Sequence, residues 1–256
     1  MDKVIILADH VIGQRLANYL LNRHFREKDD SYKIIYILGN ATNENTWWPS
    51  LKELALLNGI EYADYSPLIL KDIVNKNDCN WMLLLSWKHI MPADILSNFK
   101  GDVVNLHYSL LPRHRGVYPV NWAIQSGDRE TGISFHFVDA AIDAGKIIEQ
   151  RKIIIDQCDD AKSLLYKLDD LAYESFLSIW DKRSDWKINA FEQTGQPVYN
   201  SRKDFERTNE IDLFNNTDTA QLIRLLRAKT FGDKSAAYYI DETTGKKIYI
   251  SVNLYP

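Results

Sequence analysis

Apolar residues fall into two patterns along this chain. Val4–Leu7, Lys33–Leu38, Trp81–Leu85 and Val103–Leu106 are short, nearly continuous apolar runs, as expected of strands covered on both faces. Between them lie stretches with helical spacing. Gln14–Phe25 puts Leu16, Tyr19, Leu20 and the stem of Arg23 on one face. Leu51–Leu57 reads as a helix with Pro49 near its start and Gly59 past its end. Ser66-Pro67 offers a cap and first-turn proline for a helix reaching Asn75, and Pro92–Phe99 is a shorter helix. Thr131–Val138 and Lys146–Ile155 read as later strands. Asp159 or Asp160 then caps a long helix whose stripe of Leu164, Leu165, Leu168, Leu171, Ala172, Phe176 and Ile179 suits a core better than a partner surface.

Strands alternating with helices imply crossover units. The expected fold is α/β, a Rossmann-like, mostly parallel sheet with helices on both faces, and ligands should bind beyond the carboxyl ends of its strands. The first strand-to-helix turn, Ala8-Asp9-His10-Val11-Ile12-Gly13, holds one glycine where a dinucleotide fingerprint needs several, so NAD binding is not expected. From Gln193 the texture turns loop-like, which places a boundary near 193–200: a catalytic domain over 1–195 and a small C-terminal region over 196–256. In that region Thr219–Ala228 reads as a helix, and Ala236–Ile240 and Lys247–Leu254 flank Asp241-Glu242-Thr243-Thr244-Gly245 as a hairpin.

Composition narrows the function. The 256 residues are 45% hydrophobic and 26% charged, with a net charge of −4. That is ordinary for a soluble globular protein and lacks the basic excess of an extended nucleic-acid surface. Cys79 and Cys158 show no metal-motif spacing and read as reduced thiols, and His10, His24, His89 and His114 form no metal set. No metal is expected. The start, M-D-K-V-I-I-L-A-D-H, leads into no long apolar run, so neither a signal peptide nor a membrane span is expected, and cytoplasmic residence is the default. Asn40-Ala41-Thr42 and Asn215-Asn216-Thr217 match glycosylation acceptors but carry no weight without a secretory route.

The chemistry concentrates in two blocks, V-V-N-L-H-Y-S-L-L-P-R-H-R-G from Val103 and T-G-I-S-F-H-F-V-D-A-A-I-D-A-G-K-I-I from Thr131. Taken singly, Asn105 and His107 are a strand end with a surface histidine, and Asp143 is a turn aspartate. Taken together, the blocks resemble the N10-formyltetrahydrofolate-dependent formyltransferases, whose signature runs N-x-H-x-S-L-L-P, then T-G-x-x-x-H-x-x-x-x-x-x-D-x-G. It is matched here by Asn105, His107, Ser109, Leu110, Leu111, Pro112, Thr131, Gly132, His136, Asp143 and Gly145. The resemblance covers nearly all of residues 1–195. It implies the formyltransferase fold, N10-formyltetrahydrofolate as formyl donor, and an Asn105–His107–Asp143 catalytic trio.

Formyl transfer requires an unprotonated amine, a stabilised oxyanion and a proton for the departing folate nitrogen. Asn105 offers a side-chain N–H to the oxyanion. His107 is the natural general base, since histidine titrates near operating pH, and Asp143 orients it, holds its charged form or relays protons. By the same resemblance, Ser86, Trp87, Lys88 and Ile90, with main-chain groups around Phe137, Val138 and Asp139, line the pterin pocket. His136 reads as a structural histidine beneath the site. Trp47-Trp48-Pro49 reads as a helix-start packing cluster, with a stacking platform as the other possibility.

The acceptor is sought in what surrounds this core. Arg113 and Arg115 are phosphate-type donors and, with Gly116 and Tyr118, candidate substrate contacts. The tail, through Gln196-Pro197-Val198-Tyr199-Asn200-Ser201-Arg202-Lys203-Asp204 to the hairpin, resembles that of the sugar-nucleotide N-formyltransferases. This branch implies a dTDP-linked amino-dideoxyhexose as acceptor, surface-polysaccharide (O-antigen, lipopolysaccharide) assembly as the setting, and a homodimer. dTDP-4-amino-4,6-dideoxyglucose is preferred, with a dTDP-3-amino-3,6-dideoxyhexose as the alternative. A methionyl-tRNA formyltransferase, a formyl-folate hydrolase and a non-catalytic folate- or nucleotide-binding protein are the more distant readings.

Overall fold

Burial of the apolar runs sets the architecture. The computed structural model describes residues 1–40, 48–214 and 218–255. The chain begins β1 (Asp2–Ala8), α1 (His10–Phe25), β2 (Tyr32–Gly39), α2 (Leu51–Leu57), β3 (Glu61–Asp64), α3 (Pro67–Lys76), β4 (Trp81–Leu85), α4 (Ala93–Asn98) and β5 (Asp102–His107). There follow β6 (Arg115–Gly116), α5 (Pro119–Gln125), β7 (Glu130–Phe137), β8 (Ile147–Ile154), α6 (Ala161–Ile179), a 3-10 segment (Trp180–Asp185) and α7 (Trp186–Asn189). The chain closes with β9 (Tyr199–Asn200), α8 (Arg202–Arg207), α9 (Thr219–Lys229), β10 (Thr230–Phe231), β11 (Lys234–Ser235), β12 (Tyr238–Ile240) and β13 (Lys247–Tyr249).

Seven strands form one sheet in the order β3-β2-β1-β4-β5-β7-β8, and β1, β2, β3, β4 and β5 pair in parallel. Val4–Ala8 and every residue of β4 are buried, the reason these strands carry no polar alternation. This is the expected α/β sheet, with small antiparallel hairpins near the C-terminus. Contacts divide the chain into two units, each discontinuous in sequence. One comprises Met1–His107, Phe135–Glu149 and Ala172–Glu192, the other Tyr108–Ser134, Gln150–Leu171 and Gln193–Pro256.

In the first unit, α1 begins at His10, four residues before the periodicity suggested. Asp9 caps it by accepting from the His10 N–H, so a single residue separates β1 from α1. Trp180 packs edge-on to Tyr32 at 5.1 Å and stacks on Phe176 at 5.4 Å. Arg183 lies over the Trp180 ring and donates to Asp2 at 2.8 Å. Cys79 is buried, which pushes its thiol up to about 11. Trp48 packs on His10 at 4.8 Å. Trp47, and most of both glycosylation-like triplets, lie outside the described residues.

In the second unit, Asp160 is the cap of α6: it accepts from the Ser163 N–H at 2.7 Å while its own N–H donates to Ser163 Oγ at 3.0 Å. Several elements here were not expected. α5 packs against α9, with Asn121 donating to the Ala228 carbonyl at 2.7 Å. β6 pairs in parallel with β9. α8 opens with a capping box in which the Ser201 and Asp204 side chains each accept from the other residue's N–H. The expected hairpin is present but shorter, pairing Tyr238–Ile240 with Lys247–Tyr249.

Lys229 is a buried cation in this unit. It is 3% exposed, donates to the Phe205 carbonyl at 2.7 Å and sits 3.1 Å from the Phe205 ring centre. Burial pushes its ammonium down to about 7. The unfolded chain keeps that proton to about 10.5, so between these values the folded protein binds fewer protons and its stability rises with pH, by up to about 1.4 kcal/mol per unit. Lys229→Met should remove this dependence. The Phe205 carbonyl keeps the Thr208 hydroxyl as a donor at 2.9 Å, so the substitution orphans no acceptor. Urea denaturation is expected to show the variant gaining on the parent most at pH 6, with the gap roughly 3 kcal/mol smaller at pH 9. An equal gap at both values would mean that Lys229 stays charged throughout.

Candidate active site

The site is built at the end of β5. Side chains alternate along a strand, so Val103, Asn105 and His107 share one face while Val104 and Leu106 point to the other. Asn105 is partly exposed and His107 is 6% exposed. On β7 the same alternation puts His136 in line with Ser134 and with Val138 just beyond the strand. Asn105 Nδ2 lies 3.1 Å from His136 Nε2, and His136 Nδ1 donates to the Phe137 carbonyl at 2.8 Å.

Asp143 reaches the same place from the loop after β7. Its backbone is left-handed, with φ 49°, a conformation aspartate tolerates better than most residues. Its two oxygens divide between two histidines, Oδ2 3.5 Å from His107 Nδ1 and Oδ1 3.5 Å from His136 Nε2. Gly145 explains the D-x-G spacing: a Cβ there would meet the Phe137 carbonyl oxygen at 2.0 Å, so only glycine lets this loop fold back onto the end of β7. The two blocks of the signature thus yield four polar side chains, Asn105, His107, His136 and Asp143, in one cluster.

A cleft of about 450 Å³ is lined by Leu96, Gly101, Asp102, Val103, Phe137, Val138, Asp139, Gly145, Lys146 and Lys187; the four clustered side chains do not line it, but Val103, Phe137 and Gly145 lie within two residues of them in the chain. Leu96, Val103, Phe137 and Val138 give it an apolar wall, while Asp102, Asp139, Lys146 and Lys187 make the rest of the lining charged; such a mixture suits a planar heterocycle with polar edges. Phe137, Val138 and Asp139 were expected there. Ser86, Trp87, Lys88 and Ile90 do not line it. Ser86 follows β4 with φ 59°, and Trp87 meets Tyr65 edge-on at 4.9 Å and packs on the core. Lys88 lies 3.5 Å from Asp9, and Ile90 is 73% exposed. Leu96 and Val103 were not singled out; Val103 could have been, since it lies two residues before Asn105 on the same strand face. Lys146 and Lys187, which pair with Glu192 at 3.0 Å and Asp102 at 2.9 Å, carried no sequence signal. Among the described residues, no group of three His, Cys, Asp or Glu is placed to hold a metal ion.

The second unit holds the S-L-L-P-R-H-R-G turn. Ser109 Oγ donates to the Arg113 carbonyl at 2.5 Å, Ser134 Oγ to the Ser109 carbonyl at 2.7 Å, and Gln150 to the Leu111 carbonyl at 3.1 Å. Gly132 serves the same packing, because a Cβ would lie 1.9 Å from the Arg151 carbonyl and 2.6 Å from Leu110. The four residues expected to touch substrate are tied to protein partners. Arg113 pairs with Asp128, Arg115 donates to Gln193 at 2.7 Å, Gly116 pairs with Asn200, and Tyr118 lies on Phe205 at 4.4 Å. His114, weighed from the sequence only as a metal ligand, is the buried centre of this turn, 2.8 Å from Asp128 and 3.2 Å from Asn200.

Comparison with known proteins bears on the fold and its domains. Residues 61–179 match the formyl transferase family, and residues 204–256 match the N-formyltransferase dimerization C-terminal domain. Two stretches of the chain thus match formyltransferase domains. A methionyl-tRNA formyltransferase from Caldanaerobacter subterraneus is 34% identical over 143 residues, which cover 54% of this chain and 46% of that protein. The chain thus spans about half the length of the curated relatives it first matches, at 46% and 52%. Among solved structures, a 4-N formyltransferase from Francisella tularensis aligns over 100% of this chain and 98% of its own, with TM-score 0.80 and 21% identity. An N-formyltransferase from Helicobacter canadensis, in complex with folinic acid and dTDP-3-aminofucose, aligns over 89% of this chain and 80% of its own, with TM-score 0.72 and 23% identity. At these identities the likeness establishes the formyltransferase fold. In the described residues, no helix is long and apolar enough to cross a membrane.

Proposed function

We propose that this formyltransferase moves a formyl group from N10-formyltetrahydrofolate to the amino group of a dTDP-linked amino-dideoxyhexose. The observation that carries the reading is the convergence of Asn105, His107 and Asp143 in one polar cluster, whose chain neighbours Val103, Phe137 and Gly145 line a cleft. The donor supplies the formyl group and leaves as the free folate amine. Its pterin would lie against Leu96, Val103, Phe137 and Val138. Asn105 directs an amide N–H at the carbonyl oxygen as charge develops there. His107 removes the proton from the attacking amine, and Asp143, facing Nδ1, holds the ring through its charged form. Returned to the folate nitrogen, the same proton balances the transfer, with one C–N bond formed and one broken.

The acceptor class is supported by the tail. A C-terminal region that matches an N-formyltransferase dimerization domain, and end-to-end overlap with a 4-N formyltransferase, favour a sugar nucleotide over a longer tRNA-binding enzyme. The same overlap favours the 4-amino position, dTDP-4-amino-4,6-dideoxyglucose in particular, over the 3-amino sugar of the partly overlapping Helicobacter canadensis protein. The dimerization-domain match supports a homodimer. Such a product belongs to the assembly of a surface polysaccharide such as O-antigen, from a cytoplasmic enzyme. Steady-state assays with N10-formyltetrahydrofolate and each acceptor in turn separate the readings. The dTDP-4-amino sugar should show the highest kcat/KM. A preference for the 3-amino sugar would move the amine position, and turnover only with methionyl-tRNA or water would overturn the acceptor class.

A further inference from the structure

We infer that His136 is a positioning residue whose ring fixes which way round the Asn105 amide sits. The inference rests on the proposed role of Asn105 but makes a separate structural demand. An asparagine amide has nearly the same shape when its oxygen and nitrogen are exchanged, so only its partners decide which atom faces the reaction.

Here the decision passes through a chain of obligatory roles. The Phe137 carbonyl can only accept, and it lies 2.8 Å from His136 Nδ1, so Nδ1 carries a proton. A neutral imidazole has one N–H, which leaves Nε2 with a lone pair. Asn105 Nδ2, at 3.1 Å, donates to that lone pair. The exchanged orientation would set the Asn105 oxygen against another acceptor. His136 is 1% exposed, so solvent does not compete for Nε2. The charged and titratable groups facing the ring are Asp143, whose Oδ1 is 3.5 Å from Nε2, and His107, with ring centres 6.3 Å apart. Asn105 is the nearer partner of Nε2. Because the ring is anchored by the carbonyl of the very next residue, the amide is set before any substrate binds, and its second N–H stays available for the formyl oxygen. A doubly protonated ring would reverse this by presenting N–H at Nε2 and turning the Asn105 oxygen toward it.

The test combines kinetics with a spectroscopic reading of the ring. His136→Leu removes the acceptor, while His136→Gln keeps an amide oxygen close to the position of Nε2. His136→Leu should lower kcat by roughly 10- to 100-fold, the scale of a small misplacement at a reacting centre, with KM for both substrates nearly unchanged. His136→Gln should recover most of the loss. In an Asn105→Ala background His136→Leu should cost nothing further, because no amide remains to be oriented. Equal losses in the Leu and Gln variants, or losses that multiply in the double variant, would reduce His136 to a packing residue. Nitrogen-15 NMR of the resting wild-type protein should find the His136 proton on Nδ1 alone. A proton on Nε2, or on both nitrogens, overturns the inference. This readout needs no substrate, so it stands even if the proposed acceptor is wrong, and an absence of formyl transfer by the wild type would count against the functional reading instead.

Discussion

His107→Ala is expected to lower kcat by roughly 10²- to 10⁴-fold, the usual contribution of a positioned general base, with the fold retained. The reason is geometric. His107 closes β5 on the same face as Asn105, with Asp143 3.5 Å from Nδ1, and among the clustered side chains it is the one whose neutral form can take the amine's proton. His136 lies in the same cluster, but both its nitrogens are engaged, Nδ1 by the Phe137 carbonyl and Nε2 by Asn105. Raising the pH should restore part of the variant's activity, because an amine deprotonated in solution no longer needs the base. Rates measured across pH for wild type and variant, with circular dichroism to check folding, decide the matter. Wild-type turnover in the variant would remove His107 from the mechanism, and a loss with no recovery at high pH would point to a role other than proton removal.

Asn105→Ala should cost roughly 10²- to 10³-fold in kcat, the scale for losing one oxyanion donor. KM should hardly change, since the donor acts on charge that develops only in the transition state. The substitution also strips His136 Nε2 of its 3.1 Å partner at a 1% exposed position, so a modest loss of stability should accompany it. Measuring kcat and KM separately is the check. A rise in KM at constant kcat would make Asn105 a binding residue and leave the oxyanion without its donor.

The other strands of the sheet and the site signature were legible because each rests on a strong local signal; the half-exposed edge strand β3, Glu61–Asp64, has no apolar run and was missed. Strands such as Trp81–Leu85 are apolar on both faces, and the two motif blocks bring their reactive side chains to β5 and to the loop after β7. The start of α1 was misjudged because the Asp9 cap precedes a His-Val-Ile turn that looks apolar without looking periodic. The α8 capping box, Ser201 with Asp204, was readable but lay in a stretch taken for a loop. Very short pairs such as β6 with β9 depend on tertiary contact and leave no pattern of their own. In the site, alternation along β5 was the signal that could have found Val103, which was not singled out. The pocket residues Lys146 and Lys187 were out of reach, as one follows Gly145 and the other sits in a four-residue helix, neither with a motif. Arg113 and Arg115 were read as phosphate donors from charge alone, and sequence could not reveal that Asp128 and Gln193 already engage them.

Following a labelled formyl group tests the central claim most directly. Purified protein would be incubated with N10-formyltetrahydrofolate carrying carbon-13 in the formyl group and with dTDP-4-amino-4,6-dideoxyglucose. The label is expected on the sugar nitrogen as an amide, in amounts matching the tetrahydrofolate released, and is expected to be absent with His107→Ala. Label recovered as free formate, or left on the folate while the sugar stays unmodified, would contradict the proposed transfer.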